Sequence, residues 1–170
     1  ERRMTSSSGP DISPDFTERQ SADFGPQRLA YSAQAGNANQ TTPGVIFCGG
    51  FRSDMGGTKA LALAAWAAER QQSFVRFDYF GHGSSTGAFT DGTISHWRGN
   101  IPHILDTLTQ GPQILVGSSF GGWLSTLAAL DRPDRIAGLV LIAPAIDMTE
   151  RLMWERFSDR ARAKLESEGL

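Results

Sequence analysis

Cysteine is nearly missing from this sequence. Cys48 is the single one among 170 residues, so neither a disulfide framework nor a cysteine-rich zinc pattern can form, and a reducing compartment is the default. Net charge is also low. A balance of −2 gives no electrostatic reason to expect nucleic acid or an anionic membrane as partner. No apolar run approaches the ~18 residues that suggest a membrane span. The N-terminal stretch "ERRMTSSSGPDISPDFTERQ" lacks the apolar core of a signal peptide, and Asp11, Asp15 and Glu18 make it too acidic for a transit peptide. Residues 1–25 are expected to form a flexible arm, and the expected location is cytoplasmic. Histidine is scarce too: His82, His96 and His103 are the three, and none lies in the last third of the chain.

What is present is an alternation. "PQRLAYSAQ" reads as an edge strand. "GVIFCGG" is a short apolar strand ending in glycines, as a strand buried on both faces should. "GGTKALALAAWAAERQQ" reads as a helix, and "SFVRFDYF" as a β-branched and aromatic strand. In "ISHWRGNIPHILDTLTQ", Trp97, Ile101, Ile104, Leu105 and Leu108 share a helical stripe. Gly99 and Pro102 should kink that helix or delay its start to about Asn100. "PQILVG" predicts a strand, "SFGGWLSTLAALD" a helix, and "RIAGLVLIAP" another buried strand. In the charged tail, Trp154, Phe157, Ala161 and Leu165 stand at helical spacing. Strand–helix alternation of this kind implies βαβ units, right-handed crossovers and a mostly parallel sheet with helices on both faces. In such sheets the functional groups gather at the carboxyl ends of the strands.

One of those ends carries Gly117-Ser118-Ser119-Phe120-Gly121, a G-x-S-x-G match centred on Ser119. Centring on Ser118 fails, because Val116 and Phe120 stand where glycines would be needed. A nucleophile on a sharp strand-to-helix turn needs small residues two before and two after it, since strand and helix pass close there. Ser118 is expected to make only a local hydrogen bond. A serine hydroxyl needs a base, and donors for the oxyanion that forms on the attacked carbonyl. The Phe120 amide, at the positive end of the following helix, is one expected donor. The Phe51 amide, in the Gly49-Gly50-Phe51 loop after "GVIFC", is the other.

The span from about Gly44 to Pro144 resembles the α/β-hydrolase fold. "CGGFRSDMGGTKALALAAWA", "FVRFDYFGHGSSTG" and "GPQILVGSSFGGWL" more narrowly resemble the mitochondrial palmitoyl-protein thioesterase and mycophenolic acid acyl-glucuronide esterase group with its bacterial relatives. The resemblance implies a serine hydrolase of esters or thioesters that needs no cofactor or metal and takes a small-molecule or lipid-acyl substrate. It makes the mitochondrial matrix the alternative location and says nothing of oligomeric state. It also implies that Asp78 and the Gly81-x-Gly83-x-Ser85 loop brace the site. We read Asp78 as structural, accepting backbone or hydroxyl hydrogen bonds. Asp54 either orders the oxyanion loop, through backbone amides or Lys59, or is a plain surface carboxylate. Gly50, Gly117 and Gly121 complete the supporting set, and Cys48 reads as a small buried hydrophobe.

In this fold the acid and the histidine of the triad follow the serine along the chain. Here all three histidines precede Ser119, and each reads as a surface or packing residue. The aspartates after Ser119 are Asp131, Asp134, Asp147 and Asp159, none of them after a later sheet strand where the family's triad acid would sit. The expectation is therefore an N-terminal fragment: residues 26–145 the first part of the hydrolase domain, 146–170 the start of a lid, the C-terminal strands missing, and little activity. It leaves "RIAGLVLIA" as an apolar sheet edge, an aggregation hazard. A non-catalytic binding module of the same fold is the alternative. Nucleotide binding by "GGFRSDMGG" is a third reading, in register with neither phosphate-loop pattern. Phe51, Phe120, Trp123 and Met153 suggest an apolar acyl group, and each is equally explained as core.

Overall fold

Side-chain alternation along three strands divides the core into two. Val45 and Phe47 of β3 (Gly44–Cys48), Phe74 of β4 (Phe74–Phe77) and Val116 of β5 (Gln113–Ser118) point to one face. Ile46, Cys48, Val75, Phe77 and Leu115 point to the other. The computed structural model describes residues 13–39 and 41–168. The first face is covered by α1 (Thr58–Glu69), whose buried Ala60 and Ala67 let the helix lie close. The second is covered by α2 (Ile94–Arg98), α3 (Asn100–Leu108) and α4 (Phe120–Asp131), through Trp97, Ile101, Ile104, Leu105, Phe120 and Leu124. The break between α2 and α3 falls at Gly99, and Pro102 sits in the first turn of α3, where its missing N–H costs nothing.

Among the described residues the sheet has six strands, in the order β1 (Asp15–Ser21), β2 (Gly25–Gln34), β4, β3, β5 and β6 (Ile136–Ile142). Strands β3 to β6 pair in parallel, while β1 and β2 join antiparallel at one side. The chain leaves β3 for β4 on one side and returns to β5 on the other. The crevice between the carboxyl ends of β3 and β5 is therefore a topological switch point.

Four expectations need correction. The arm expected over residues 1–25 contains a strand, β1 (Asp15–Ser21), paired with β2 (Gly25–Gln34); residues 1–12 lie outside the described residues. Strand β1 is pinned by polar contacts: Thr17 Oγ1 lies 3.0 Å from His103 Nε2, and Arg19 donates to Gln27 Oε1 at 2.9 Å. Strand β2 is consequently second in the sheet and not its edge. Strand β6 (Ile136–Ile142) reads as buried from its composition, yet Leu139, Val140, Leu141 and Ile142 are 36–50% exposed, because it pairs on one side only, in line with the apolar sheet edge also expected of it. The tail is not one helix. Short helical turns over Met148–Met153 and Trp154–Arg156 precede α5 (Asp159–Glu168), which starts where Ser158 Oγ accepts the Ala161 amide hydrogen.

Candidate active site

Ser119 links β5 to α4 with φ 53° and ψ −117°. A residue with a Cβ held in such a region costs about 1–3 kcal/mol and persists only where its surroundings over-determine it. Here they do. The Ser119 amide donates to the Ile142 carbonyl at 2.9 Å, and the Ser119 carbonyl accepts from the amides of Gly122 (2.9 Å), Ala145 (3.0 Å) and Trp123 (3.3 Å). The flanking glycines are sterically required. A Cβ on Gly117 would lie 2.6 Å from the Gly121 carbonyl oxygen, and one on Gly121 would overlap the Cys48 and Gly49 carbonyls. Helix α4 thus begins pressed against the loop that follows β3.

Ser119 is half-buried, and its Oγ makes no hydrogen bond to a described residue. It faces a cavity of about 280 Å³ shared with Gly50, Phe51, Ser53, Asp54 and Lys59. Ser118 lines the same cavity and makes no side-chain hydrogen bond to a described residue, so the local bond expected for it is not formed. Gly50 packs beside Ser119, since a Cβ on it would lie 3.8 Å from Ser119 Cβ.

Phe51 sits in a turn closed by the Ser53 amide on the Gly50 carbonyl at 3.2 Å, with Ser53 Oγ donating to the same oxygen at 2.7 Å. Its ring meets those of Phe89, Phe120 and Trp97 edge-on, at centroid distances of 4.9, 5.6 and 5.9 Å. Neither the Phe51 amide nor the Phe120 amide, the first in α4, has a hydrogen-bond acceptor among the described residues.

Asp78 lies behind this loop. Its carboxylate accepts the Met55 amide hydrogen at 2.6 Å and that of Ser84 at 2.8 Å. Burial raises its pKa, and the two amides oppose that shift. Gly83, at φ 47°, is needed because a Cβ there would overlap the Asp78 carboxylate. Gly81, at φ 69°, packs on the Ala88 carbonyl. Asp54 accepts the Gly56 amide hydrogen at 2.8 Å, and no ion pair joins it to Lys59 among the described residues.

The three histidines are all held away from Ser119 Oγ. His96 lies between the rings of Phe24 and Phe80, each 4.0 Å from it, with Gln27 Nε2 at 2.5 Å from its Nε2. His103 meets Thr17. His82 is a buried packing residue, hydrogen-bonded to both Phe80 and Arg52. The sequence offered no signal for that bond, nor for the aromatic anchoring of Phe51. Cys48 is fully buried as expected, and burial pushes its thiol up to about 11. Of the four residues read as acyl contacts, Phe51 and Met153 line a second cavity of about 380 Å³ with Phe89, Ile94, Trp97 and Met148. Phe120 is core, and Trp123 packs against that core.

The model of the alpha/beta hydrolase fold matches residues 45–168, a span that holds the elbow, the turn and four of the strands. The chain belongs to the α/β-hydrolase family. Among curated relatives of this α/β-hydrolase is the mouse mitochondrial palmitoyl-protein thioesterase ABHD10, 45% identical over 119 residues, which are 70% of this chain and 39% of the relative. Its solved structure superposes with a TM-score of 0.79 at 37% identity, covering 93% of this chain and 60% of that one. A hydrolase structure from Agrobacterium vitis gives a TM-score of 0.82 at 38% identity, covering 93% and 63%. The chain thus spans about two-fifths of the length of the curated relative.

Proposed function

We propose that this α/β-hydrolase chain carries the nucleophile and oxyanion half of a serine esterase or thioesterase. The single observation behind this reading is the Ser119 elbow: a strained, over-determined turn at the switch point that leaves an unbonded hydroxyl facing a cavity. In the proposed reaction Ser119 Oγ bonds to the substrate carbonyl carbon while its proton passes to a base. The Phe51 and Phe120 amides hold the oxyanion, and the alcohol or thiol leaves with a proton. Water then releases the acid and restores Ser119. Gly50, Gly117 and Gly121 give the loops room to approach. Asp54, Asp78, Gly81 and Gly83 shape the oxyanion loop from behind.

None of His82, His96 and His103 reaches Ser119 Oγ, so the proposal extends to the 170-residue polypeptide by itself: it should react slowly. The apolar cavity beside Phe51 favours an apolar acyl group, which agrees with the thioesterase name of the relatives. Those relatives are also named mitochondrial, so we favour the matrix over the cytoplasm for this chain. Among the described residues no helix is long and apolar enough to cross a membrane.

A fluorophosphonate probe tests the reading on this chain and on a C-terminally extended version bearing an Asp- and His-containing segment. The extended chain should label at Ser119, lose the label in Ser119→Ala, and hydrolyse p-nitrophenyl and S-acyl esters with a preference for longer acyl chains. Rapid labelling of the short chain would overturn the missing-base part. An extended chain that stays unlabelled would favour a binding module.

A further inference from the structure

Arg52 is the third residue of the Gly50–Ser53 turn and has φ 57°, whereas Phe51 before it is not left-handed. A turn with positive φ only at its third position is of the type II class, which favours glycine there. Its central peptide, between Phe51 and Arg52, is flipped relative to the commoner type I turn. Something must hold an arginine in that place. Its guanidinium lies 5.1 Å from the centroid of the Phe89 ring, and its amide donates to His82 Nε2 at 3.3 Å.

The two partners of His82 fix its protonation. Nδ1 lies 3.0 Å from the Phe80 carbonyl oxygen, which can only accept, so Nδ1 carries the hydrogen. The Arg52 amide can only donate, so Nε2 carries the lone pair. The ring cannot turn easily, because it is buried and meets Tyr79, Phe89 and Trp97 at 5.7, 5.1 and 5.5 Å.

We propose that neutral His82 is a positioning residue for the oxyanion site: by accepting the Arg52 amide hydrogen it fixes the Phe51–Arg52 peptide, and with it the placement of Phe51, whose own amide is free for the substrate oxygen. This rests on the serine-hydrolase reading. A proton on Nε2 removes the acceptor and places a cation against the Arg52 amide. The ionisable groups around the ring are Asp78, Tyr79, and the Arg52 and Asp54 that share a small cavity with it. Burial holds His82 below the usual histidine value, against the opposing pull of the Phe80 carbonyl and Asp78. At neutral pH the acceptor is therefore in place.

Three variants and one spectrum test this. Long-range nitrogen–proton spectra of the imidazoles of this chain should show His82 protonated on Nδ1 alone at neutral pH. A ring protonated on Nε2 would overturn the proposal whatever the activity. In the extended chain, His82→Phe keeps a ring but no acceptor, and should lower kcat for p-nitrophenyl esters by about tenfold to a hundredfold with little change in KM, as for a misplaced oxyanion donor. His82→Gln restores an oxygen acceptor and should recover most of the rate. Its acid limb should lose one proton from the pH dependence, since the glutamine does not titrate. Arg52→Gly in the His82→Phe background should also recover rate, because glycine adopts the left-handed turn unaided. An unchanged kcat in His82→Phe, or no recovery in either rescue variant, would overturn the proposal. Retention of activity in Ser119→Ala would instead overturn the serine-hydrolase reading on its own.

Discussion

Ser119, after β5, and Arg52, after β3, both carry side chains at left-handed φ, 53° and 57°, and they are held there by different means. Four backbone hydrogen bonds converge on Ser119, and glycines at 117 and 121 remove every Cβ that would push the strand and helix apart. Arg52 has one amide bond to a titratable ring and one guanidinium over an aromatic face. The elbow is built from main chain and cannot be adjusted without unfolding its surroundings. The turn is closed by one backbone bond, but its Arg52 corner is held by side chains, so it responds to substitution and to pH. Rigidity suits the group proposed to attack, while the amide beside Arg52 depends on a removable prop.

Substitutions on each side should separate the two regimes. The largest effect is expected at the elbow. Gly121→Ala puts a methyl into the Cys48 and Gly49 carbonyls and should cost about 3 kcal/mol or more, read as a fall in the urea midpoint, with Ser119 labelling lost as well. A milder loss would mean that the elbow is less constrained than the turn. Next comes the brace behind the turn. Asp78→Ala leaves the Met55 and Ser84 amides unpaired and should cost about 2–3 kcal/mol in the same measurement.

The pH dependence of stability is smaller and has a defined sign. The folded His82 pKa lies below its unfolded value, so the folded state binds fewer protons. Its contribution is complete above the unfolded value and is lost as pH falls through the folded one. His96 and His103 are lowered in the same direction, so the difference between wild type and His82→Gln isolates the turn. Asp78 runs the opposite way: its folded value is raised, mainly by burial, so its protonation favours the folded state as the pH falls through that value. The smallest effect is expected for Ser53→Ala, which removes the Oγ bond to the Gly50 carbonyl at an exposed site and should cost about 0.5–1 kcal/mol.

The elbow could be read from sequence because its cause is local. Gly117, Ser119 and Gly121 stand two apart between an apolar strand and a helix, and backbone crowding follows from that spacing alone. Strands β3 and β5 were readable for a related reason, since burial on both faces writes a continuous apolar run. Strand β1 was not, because Thr17 and Arg19 hold it through polar contacts, to His103 far along the chain and to Gln27 in the neighbouring strand, leaving no hydrophobic period. The composition of β6 fits a buried strand, and its exposure follows only from its place at the sheet edge. The tail's helical spacing ran across the Ser158 cap and so joined two separate elements. The role of His82 was invisible because its acceptor lies thirty positions from the amide it meets. No short motif links "GHG" to the flip of a peptide in "GGFRSD".

Cys48 gives this molecule a built-in clock. It is the sole thiol in the sequence, sealed in the sheet beside the crevice, and with its proton retained to about pH 11 it has little thiolate to offer a soluble reagent. Any alkylation must wait for β3 to part from its neighbours, so the rate at which one thiol is modified times the opening of the floor on which both loops stand.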